Sequence, residues 1–188
     1  MTIFRHGHLC AVLCLCLGAC SVERWAVKTG TDADVGRVDL ARSTATTIGA
    51  LRALPAPSIL PADHRVPPTE TTQFTVAGRL KQYKLAVDSD YHLVIVDETG
   101  HTMIAEIPDP RDMDKDSPFI AGVRNARAEF DKAYKATYFF KSAGVPVCVK
   151  GIGFFDFKHG QPGVAPNGIE LHPLLDIQFN RCPTSGQP

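Results

Sequence analysis

The sequence predicts a mainly β fold: a small five-stranded Greek-key barrel with one helix, in the order β-β-β-α-β-β. Two observations support this prediction. Runs of apolar and polar residues in alternation, separated by turn residues, lie on both sides of one amphipathic segment. That segment, residues 118–137, has the apolar spacing of a helix.

The chain before the barrel is predicted to be a short segment followed by a connector. Residues 54–68 hold five prolines, which interrupt helices and central strands, so we expect an extended connector. Upstream, Thr46 or Thr47 could cap a short helix over Ile48–Leu54, and Arg24–Thr29 could form a strand.

Three strands are predicted after the connector, at Gln73–Ala86, Tyr91–Val96 and Thr102–Ile107. The sequence Asp-Ser-Asp at 88–90 and the sequence Asp97–Gly100 are typical of the tight turns that join such strands. Together these segments predict an antiparallel meander.

The second half of the domain begins with the predicted helix, where Pro118 occupies the position that proline favours at a helix start. Two further strands are predicted at Val145–Phe157 and Ile169–Phe179, joined by the Gly- and Pro-rich loop His159–Gly168. This order is that of the OB-fold. A small antiparallel α+β sandwich has the same order and remains an alternative.

The N-terminal residues 1–19 have the features of a secretory signal peptide. Arg5 precedes the apolar run Leu9–Leu17, and no acidic residue is present. The run is about half the length that would cross a bilayer. We therefore predict four parts: signal peptide 1–19, N-terminal segment and connector 20–69, OB-like domain 70–182, and disordered tail 183–188.

The sequence Leu-Gly-Ala-Cys at 17–20 resembles the bacterial lipobox, whose cysteine is acylated and becomes the first residue of the mature protein. We therefore predict an exported lipoprotein, anchored to a membrane through lipid on Cys20 and facing the periplasm or the cell surface. Cleavage by the ordinary signal peptidase, with Cys20 as one more apolar residue, is the alternative.

Cys148 and Cys182 would be left as a pair once residues 1–19 are removed and Cys20 is acylated. In an oxidising compartment they are predicted to form a disulfide, the alternative being two buried thiols. The same processing removes Arg5 and leaves a net charge of −1. Without a basic excess, general nucleic-acid binding is not favoured.

Carboxylates and imidazoles gather in a few segments around the predicted turns and the last strand. Residues two apart in a strand share a face, which places Glu170 beside His172. If the fold is an OB-fold, the loops holding most of these residues flank its ligand groove. The candidate ligand-binding or catalytic residues are Asp88, Asp90, His92, Asp156, Lys158, His159, Asn167, Glu170 and His172, with Glu106 nearby.

The segment Gly151–Ile177, which includes the sequence Gly-Phe-Phe-Asp-Phe-Lys-His-Gly-Gln, resembles a segment of uncharacterised exported bacterial proteins. Asp88–Ile95 and Met103–Pro108 are similar to the same group. The resemblance brings no activity and no assigned residues with it.

Two functions are compatible with these residues. The first is an envelope lipoprotein whose OB-like domain binds a polar small molecule or oligomer at the loops around 88–92 and 156–172. The second is a metal-dependent hydrolase acting on a phosphodiester, with a divalent metal ion held by His92, Glu170 and His172. A structural or assembly role is a third possibility. The sequence contains no complete catalytic motif that would decide between them.

Overall fold

The computed structural model describes residues 24–182, so the predicted signal peptide, Cys20 and the tail 183–188 lie outside the described residues. The described chain is mostly β with one main helix, which confirms the predicted class. The helices are α1 (Trp25–Thr29), α2 (Ile48–Arg52) and α3 (Ile120–Ala133). The strands are β1 (Thr44–Thr46), β2 (Gln73–Leu85), β3 (Tyr91–Val96), β4 (Thr102–Ile107), β5 (Lys141–Phe155) and β6 (Ile169–Phe179).

The six strands form one mixed sheet in the order β1-β2-β3-β4-β6-β5. β2 pairs antiparallel with β3 on one side and with β5 on the other, and an irregularity between Leu80 and Gln82 lets the strand bend. β4 and β6 are parallel, whereas β3–β4 and β5–β6 are antiparallel. The pairings among β2, β3, β4, β6 and β5 therefore run in a closed circuit.

The predicted strand at Arg24–Thr29 is wrong, because residues Trp25–Thr29 form the helix α1. Val27 and Lys28 are consecutive and both buried, which a half-exposed strand would not allow. Gly30 ends the helix with a φ of 74°, a left-handed conformation that glycine adopts readily. The strand β1, parallel to β2, was not predicted.

α3 is shorter than predicted and begins at Ile120. The Ser117 hydroxyl accepts a hydrogen bond from the Phe119 amide at 3.2 Å just before the helix, and Tyr134 is already extended at its end. Val123, Ala126 and Phe130 are the buried residues of α3 and belong to the main hydrophobic core. This core also takes every second residue of β3, β4 and β6: Leu93, Ile95, Met103, Ala105, Ile107, Ile169 and Leu171.

The residues between these core positions point to the other face of the sheet. On that face lie His92 and Val94 of β3, Ile104 and Glu106 of β4, and Glu170 and His172 of β6. They are buried or nearly so, because α1 and the loop 156–168 cover them. The carboxylates and imidazoles of these three strands therefore lie together beneath α1 and the loop 156–168.

Two buried arginines fix the N-terminal segment to the sheet. The Arg24 guanidinium donates to both carboxylate oxygens of Glu70 and to the Phe155 carbonyl oxygen, and it lies over the Phe154 ring. Arg65 donates to both oxygens of Asp32, at 3.1 and 2.7 Å. The connector has no regular strand or long helix, yet Arg65 is only 3% exposed.

Cys148 of β5 and Cys182 form the predicted disulfide, with Cα atoms 4.9 Å apart. It ties the chain that follows β6 to the neighbouring strand. In the described range 24–182 no helix has the length and apolarity needed to cross a bilayer.

Candidate functional site

Strand register brings the central residues of the site together. His92 of β3 is directly opposite Glu106 of β4. β4 and β6 are parallel with Ile104 opposite Glu170, so Glu106 and His172, two residues further along, also become neighbours. Three strands thus place one carboxylate between two imidazoles.

The Glu106 carboxylate contacts both of these imidazoles. Its Oε1 lies 2.8 Å from Nδ1 of His92, and its Oε2 lies 3.1 Å from Nδ1 of His172. The Nε2 of His92 is 3.1 Å from the Pro162 carbonyl oxygen. The His92 ring is therefore held between the Glu106 carboxylate and the Pro162 carbonyl oxygen.

Asp90 approaches His172 from the other side. Its Oδ2 is 3.6 Å from Nε2 of His172, while its Oδ1 accepts a hydrogen bond from the Asp109 amide at 3.2 Å. Asp90 and His172 are both 0% exposed. Neither ring nitrogen of His172, nor Oδ2 of Asp90, has an aligned hydrogen-bond partner among the described residues. Buried polar atoms of this kind are rare and call for an explanation.

Burial and the neighbouring polar groups shift the pKa values of these residues in different directions. Burial, together with the nearby Glu106 and Asp88 carboxylates, raises the pKa of Asp90 to about 8. Burial would also raise the pKa of Glu106, but the two imidazoles outweigh it and lower that pKa strongly. Burial lowers the pKa of His172.

A third carboxylate, Glu170, lies on the same face and is 1% exposed. Its Oε2 has no hydrogen-bond partner within the described chain, and burial followed by repulsion from Glu106 and Asp156 raises its pKa well above the usual range. Lys28 of α1 supplies a cation at this point, donating to Oδ2 of Asp156 at 3.1 Å. Burial alone would lower the pKa of Lys28, but the surrounding carboxylates outweigh it and raise that pKa.

A cleft of about 210 Å³ opens above these residues. Its lining comes from α1, from the end of β2 and the turn after it, from β3, β4 and β6, and from the loop after β5. The lining residues are Lys28, Lys84, Ala86, Val87, Asp88, His92, Glu106, Asp156, His159, Gln161, Pro162 and Glu170. The cleft wall therefore contains charged groups of both signs.

Comparisons with known proteins do not identify a family. No protein-family model and no curated protein matches this chain. A solved structure described as an aspartyl-tRNA synthetase from Leishmania major Friedlin is 12% identical, with a TM-score of 0.45, over 76% of this chain and 21% of its own. The structure of OBody AM2EP06 bound to hen egg-white lysozyme is 13% identical, with a TM-score of 0.34, over 57% of this chain and 79% of its own.

This chain thus spans about a fifth of the synthetase chain that it matches. At these identities and TM-scores neither likeness identifies a fold family or an activity.

Most of the residues singled out in the sequence are brought together. Asp88, His92, Asp156, His159 and Glu170 line the cleft. Asp90 and His172 lie behind this wall: His172 contacts the lining residue Glu106, and Asp90 contacts His172.

Two of those residues, Lys158 and Asn167, are not among the residues that line the cleft. Lys158 donates to the Pro166 carbonyl oxygen, and Asn167 donates to the carbonyl oxygens of Leu51 and Leu54. Both hold the loop 156–168 in place.

Sequence reasoning missed Lys28, Lys84 and Gln161 as lining residues. Lys28 lies in the segment predicted as a strand, and nothing in its local sequence signals that α1 folds over β6. The Gln161 side chain closes the loop by accepting from the His159 amide and donating to the Phe157 carbonyl oxygen. Its place beside Gly160 and Gly163 was the available signal for a tight loop.

Proposed function

We propose that this protein is an envelope lipoprotein whose OB-like domain binds a small polar ligand in the cleft above Glu106. The closed circuit of pairings through β2, β3, β4, β6 and β5, with α3 between β4 and β5, supports the OB-type barrel. In such a barrel the face of the second and third strands and the loops after the first and fourth strands bind ligands.

The composition of the cleft wall carries the proposal. His92 and Glu106 belong to the strands that are second and third in the circuit. Counted along the chain, β2 is the first strand of the circuit and β5 is the fourth. Asp88 belongs to the loop after β2, and His159 belongs to the loop after β5. One cleft thus takes its lining from every part of the barrel that the OB-fold uses for recognition.

Size and charge limit the ligand. A volume of about 210 Å³ is below the roughly 300–1,000 Å³ of ordinary ligand pockets, so the occupant is a small molecule or one unit of an oligomer. Lys28 and Lys84 offer positive charge, while Asp88 and Asp156 offer carboxylate acceptors. A ligand with an anionic group and several hydroxyl or ammonium donors, such as a sugar phosphate or an amino acid, suits such a wall.

The predicted anchor would place this cleft close to a membrane. Arg24 follows Cys20 by four residues, a distance of at most ~14 Å in an extended chain. α1 begins at the next residue, and its Lys28 lines the cleft. A lipid on Cys20 would therefore hold the binding face near the bilayer surface.

A thermal-shift panel tests ligand binding. Amino acids, hexoses, hexose phosphates and inorganic phosphate would be added singly to the purified mature chain. A ligand at 100 times its Kd stabilises by about 2.7 kcal/mol, enough to raise the Tm visibly. His159→Ala, at the exposed rim, should weaken the shift, whereas His101→Ala, in an exposed turn outside the lining, should not.

The proposal fails if no compound in the panel raises the Tm of the wild-type protein. It also fails if a compound shifts the wild-type and His159→Ala proteins equally, because the binding would then lie elsewhere.

The metal-dependent hydrolase is the second candidate. The observation that favours it is the meeting of Asp90, Glu106 and His172, each offering one ligand atom within 4.8 Å of the others. Carboxylate and imidazole are the ligands that hold catalytic zinc or manganese. An assay on a generic phosphodiester with the metal-free and metal-loaded protein tests this activity.

A further inference from the structure

We propose that Asp90, Glu106 and His172 form a binding site for one divalent transition-metal ion, of the zinc or manganese class, beneath the cleft. This site goes beyond ligand binding in the cleft and does not depend on it. It also differs from the metal set expected from the sequence, since Asp90 and Glu106 take the places given there to His92 and Glu170.

The first argument is the direction of the free atoms. Each carboxylate has one oxygen engaged by a protein donor, Oδ1 of Asp90 by the Asp109 amide and Oε1 of Glu106 by His92. The other oxygen of each faces a ring nitrogen of His172: Oδ2 of Asp90 lies 3.6 Å from Nε2, and Oε2 of Glu106 lies 3.1 Å from Nδ1. A single ion would bond to one of these two nitrogens, and the carboxylate at the other nitrogen would turn toward the ion. Carboxylates that bind a metal ion are commonly hydrogen-bonded to other protein groups as well, and these bonds orient them.

The second argument is the unpaired state of buried atoms. Asp90 and His172 are both 0% exposed, and Oδ2 of Asp90 and both ring nitrogens of His172 have no aligned hydrogen-bond partner in the described chain. Leaving such atoms unmatched costs roughly 1–3 kcal/mol each. A cation among them would satisfy the carboxylate oxygen and one imidazole nitrogen together.

The third argument is charge. Asp90, Glu106, Glu170 and Asp156 gather on one covered face. Of the two lysines in the cleft wall, Lys28 is already bound to Asp156, and the ammonium group of Lys84 lies over the Phe140 ring. A buried carboxylate is costly unless it is paired or coordinates a metal. A divalent cation would offset the excess of carboxylates at the place where Lys28 does not reach.

The site as it stands is wider than a loaded one. The three ligand atoms lie within 4.8 Å of one another, whereas donors bonded at ~2.0–2.2 Å to a tetrahedral ion lie roughly 3.3–3.6 Å apart. Loading would therefore draw the ligand atoms together through side-chain rotation. One imidazole among the ligands favours zinc or manganese over calcium and magnesium, which prefer oxygen ligands alone. Three protein ligands leave a position for water or for a ligand group.

Metal analysis of the purified mature chain tests the site. After treatment with a chelator, the protein would be titrated with Zn²⁺ and Mn²⁺ by calorimetry, and its metal content measured by mass spectrometry. About one ion per chain is expected, with a rise in Tm on loading. Asp90→Asn and His172→Gln should each weaken binding by at least about 100-fold, more than the loss typical of outer-shell changes.

His101→Gln provides the matched control, because His101 also lies beside an aspartate, Asp97, but in an exposed turn. It should leave binding unchanged. Co²⁺ substitution in the wild-type protein adds a readout that needs no variant, since the visible absorption of Co²⁺ changes when protein ligands replace the water molecules of the six-coordinate hydrated ion.

The proposal is overturned if the wild-type protein takes up neither ion stoichiometrically, if both variants bind as tightly as wild type, or if the Co²⁺ spectrum stays that of the hydrated ion. Binding of sugar phosphates or amino acids in the panel would be unaffected by these outcomes. The two proposals can therefore fail separately.

Discussion

Arg24 and Glu70 form a buried, bidentate ion pair with nitrogen–oxygen distances of 2.7 and 2.8 Å, although 46 residues separate them in the chain. The side chains are 1% and 0% exposed. Glu70 also accepts hydrogen bonds from the amides of Val66 and Phe155. The pair therefore joins the start of α1, the end of the connector and the end of β5 at one point.

Glu70→Ala should lower the free energy of unfolding by about 3–5 kcal/mol, because it leaves the Arg24 guanidinium buried without its carboxylate. Urea unfolding followed by circular dichroism measures the change. Glu129→Ala, which removes an exposed pair with Lys132, should cost no more than about 1 kcal/mol. Equal losses for the two variants would show that the buried pair does not hold the N-terminal segment.

This pair also shows why the sequence predicted the sheet better than the segment before it. The strands Tyr91–Val96, Thr102–Ile107 and Ile169–Phe179 have the predicted bounds, because alternation and turn residues are local signals. α1 depends on contacts far along the chain: Arg24 bonds to Phe155 across 131 residues. No local pattern encodes such a contact.

The candidate site, like the fold, was predictable where it depends on strands and not where it depends on loops. His92, Glu106 and His172 meet because strand pairing brings them together, and their shared face follows from spacing within each strand. Lys158 and Asn167 were included because they lie in the same loop, yet backbone carbonyl oxygens hold both side chains away from the cleft. The path of a long loop cannot be read from its composition.

The lipid anchor remains a prediction from residues 17–20. In cells labelled with palmitate, the wild-type protein should incorporate the label and sediment with membranes, and Cys20→Ala should do neither. Mass spectrometry of the mature N-terminus provides the second measurement. Label in the Cys20→Ala protein, or a mature wild-type protein beginning at another residue, would contradict the prediction.

Two glycines of the loop over the cleft provide a matched pair of variants. Gly160 and Gly163 both have left-handed backbones, with φ of 82° and 91°, but an added Cβ at Gly160 meets nothing within 4 Å while one at Gly163 lies 2.7 Å from the Val94 side chain. Gly160→Ala should therefore cost only the conformational strain, roughly 1–2 kcal/mol. Gly163→Ala should cost about 1–3 kcal/mol more through overpacking.

Urea unfolding of the two alanine variants measures that difference directly, because the conformational strain is common to both. If Gly163→Ala is no less stable than Gly160→Ala, the loop does not pack on β3 as described.

Lys28 gives a pH-dependent prediction. Carboxylates around its ammonium group raise its pKa above 10.5, so the folded protein holds this proton more tightly than the unfolded chain does. The resulting stability is complete below pH 10.5 and is lost as the pH rises through the folded value. Lys28→Met should remove this loss, and near neutral pH it should lower the free energy of unfolding by about 1–3 kcal/mol, because Asp156 loses its partner.

The informative quantity is the difference between wild-type and Lys28→Met unfolding free energies, measured near neutral pH and again above pH 10.5. The tyrosines Tyr83 and Tyr91, whose pKa values burial raises, also reduce stability at high pH, but they contribute to both proteins and cancel in the difference. The difference should therefore shrink as the pH rises. Lys132→Met, at a 68% exposed side chain, is the control and should show a small difference at both pH values. A difference for Lys28→Met that stays constant with pH would mean that the Lys28 ammonium gains nothing from the carboxylates on folding, which would contradict the prediction.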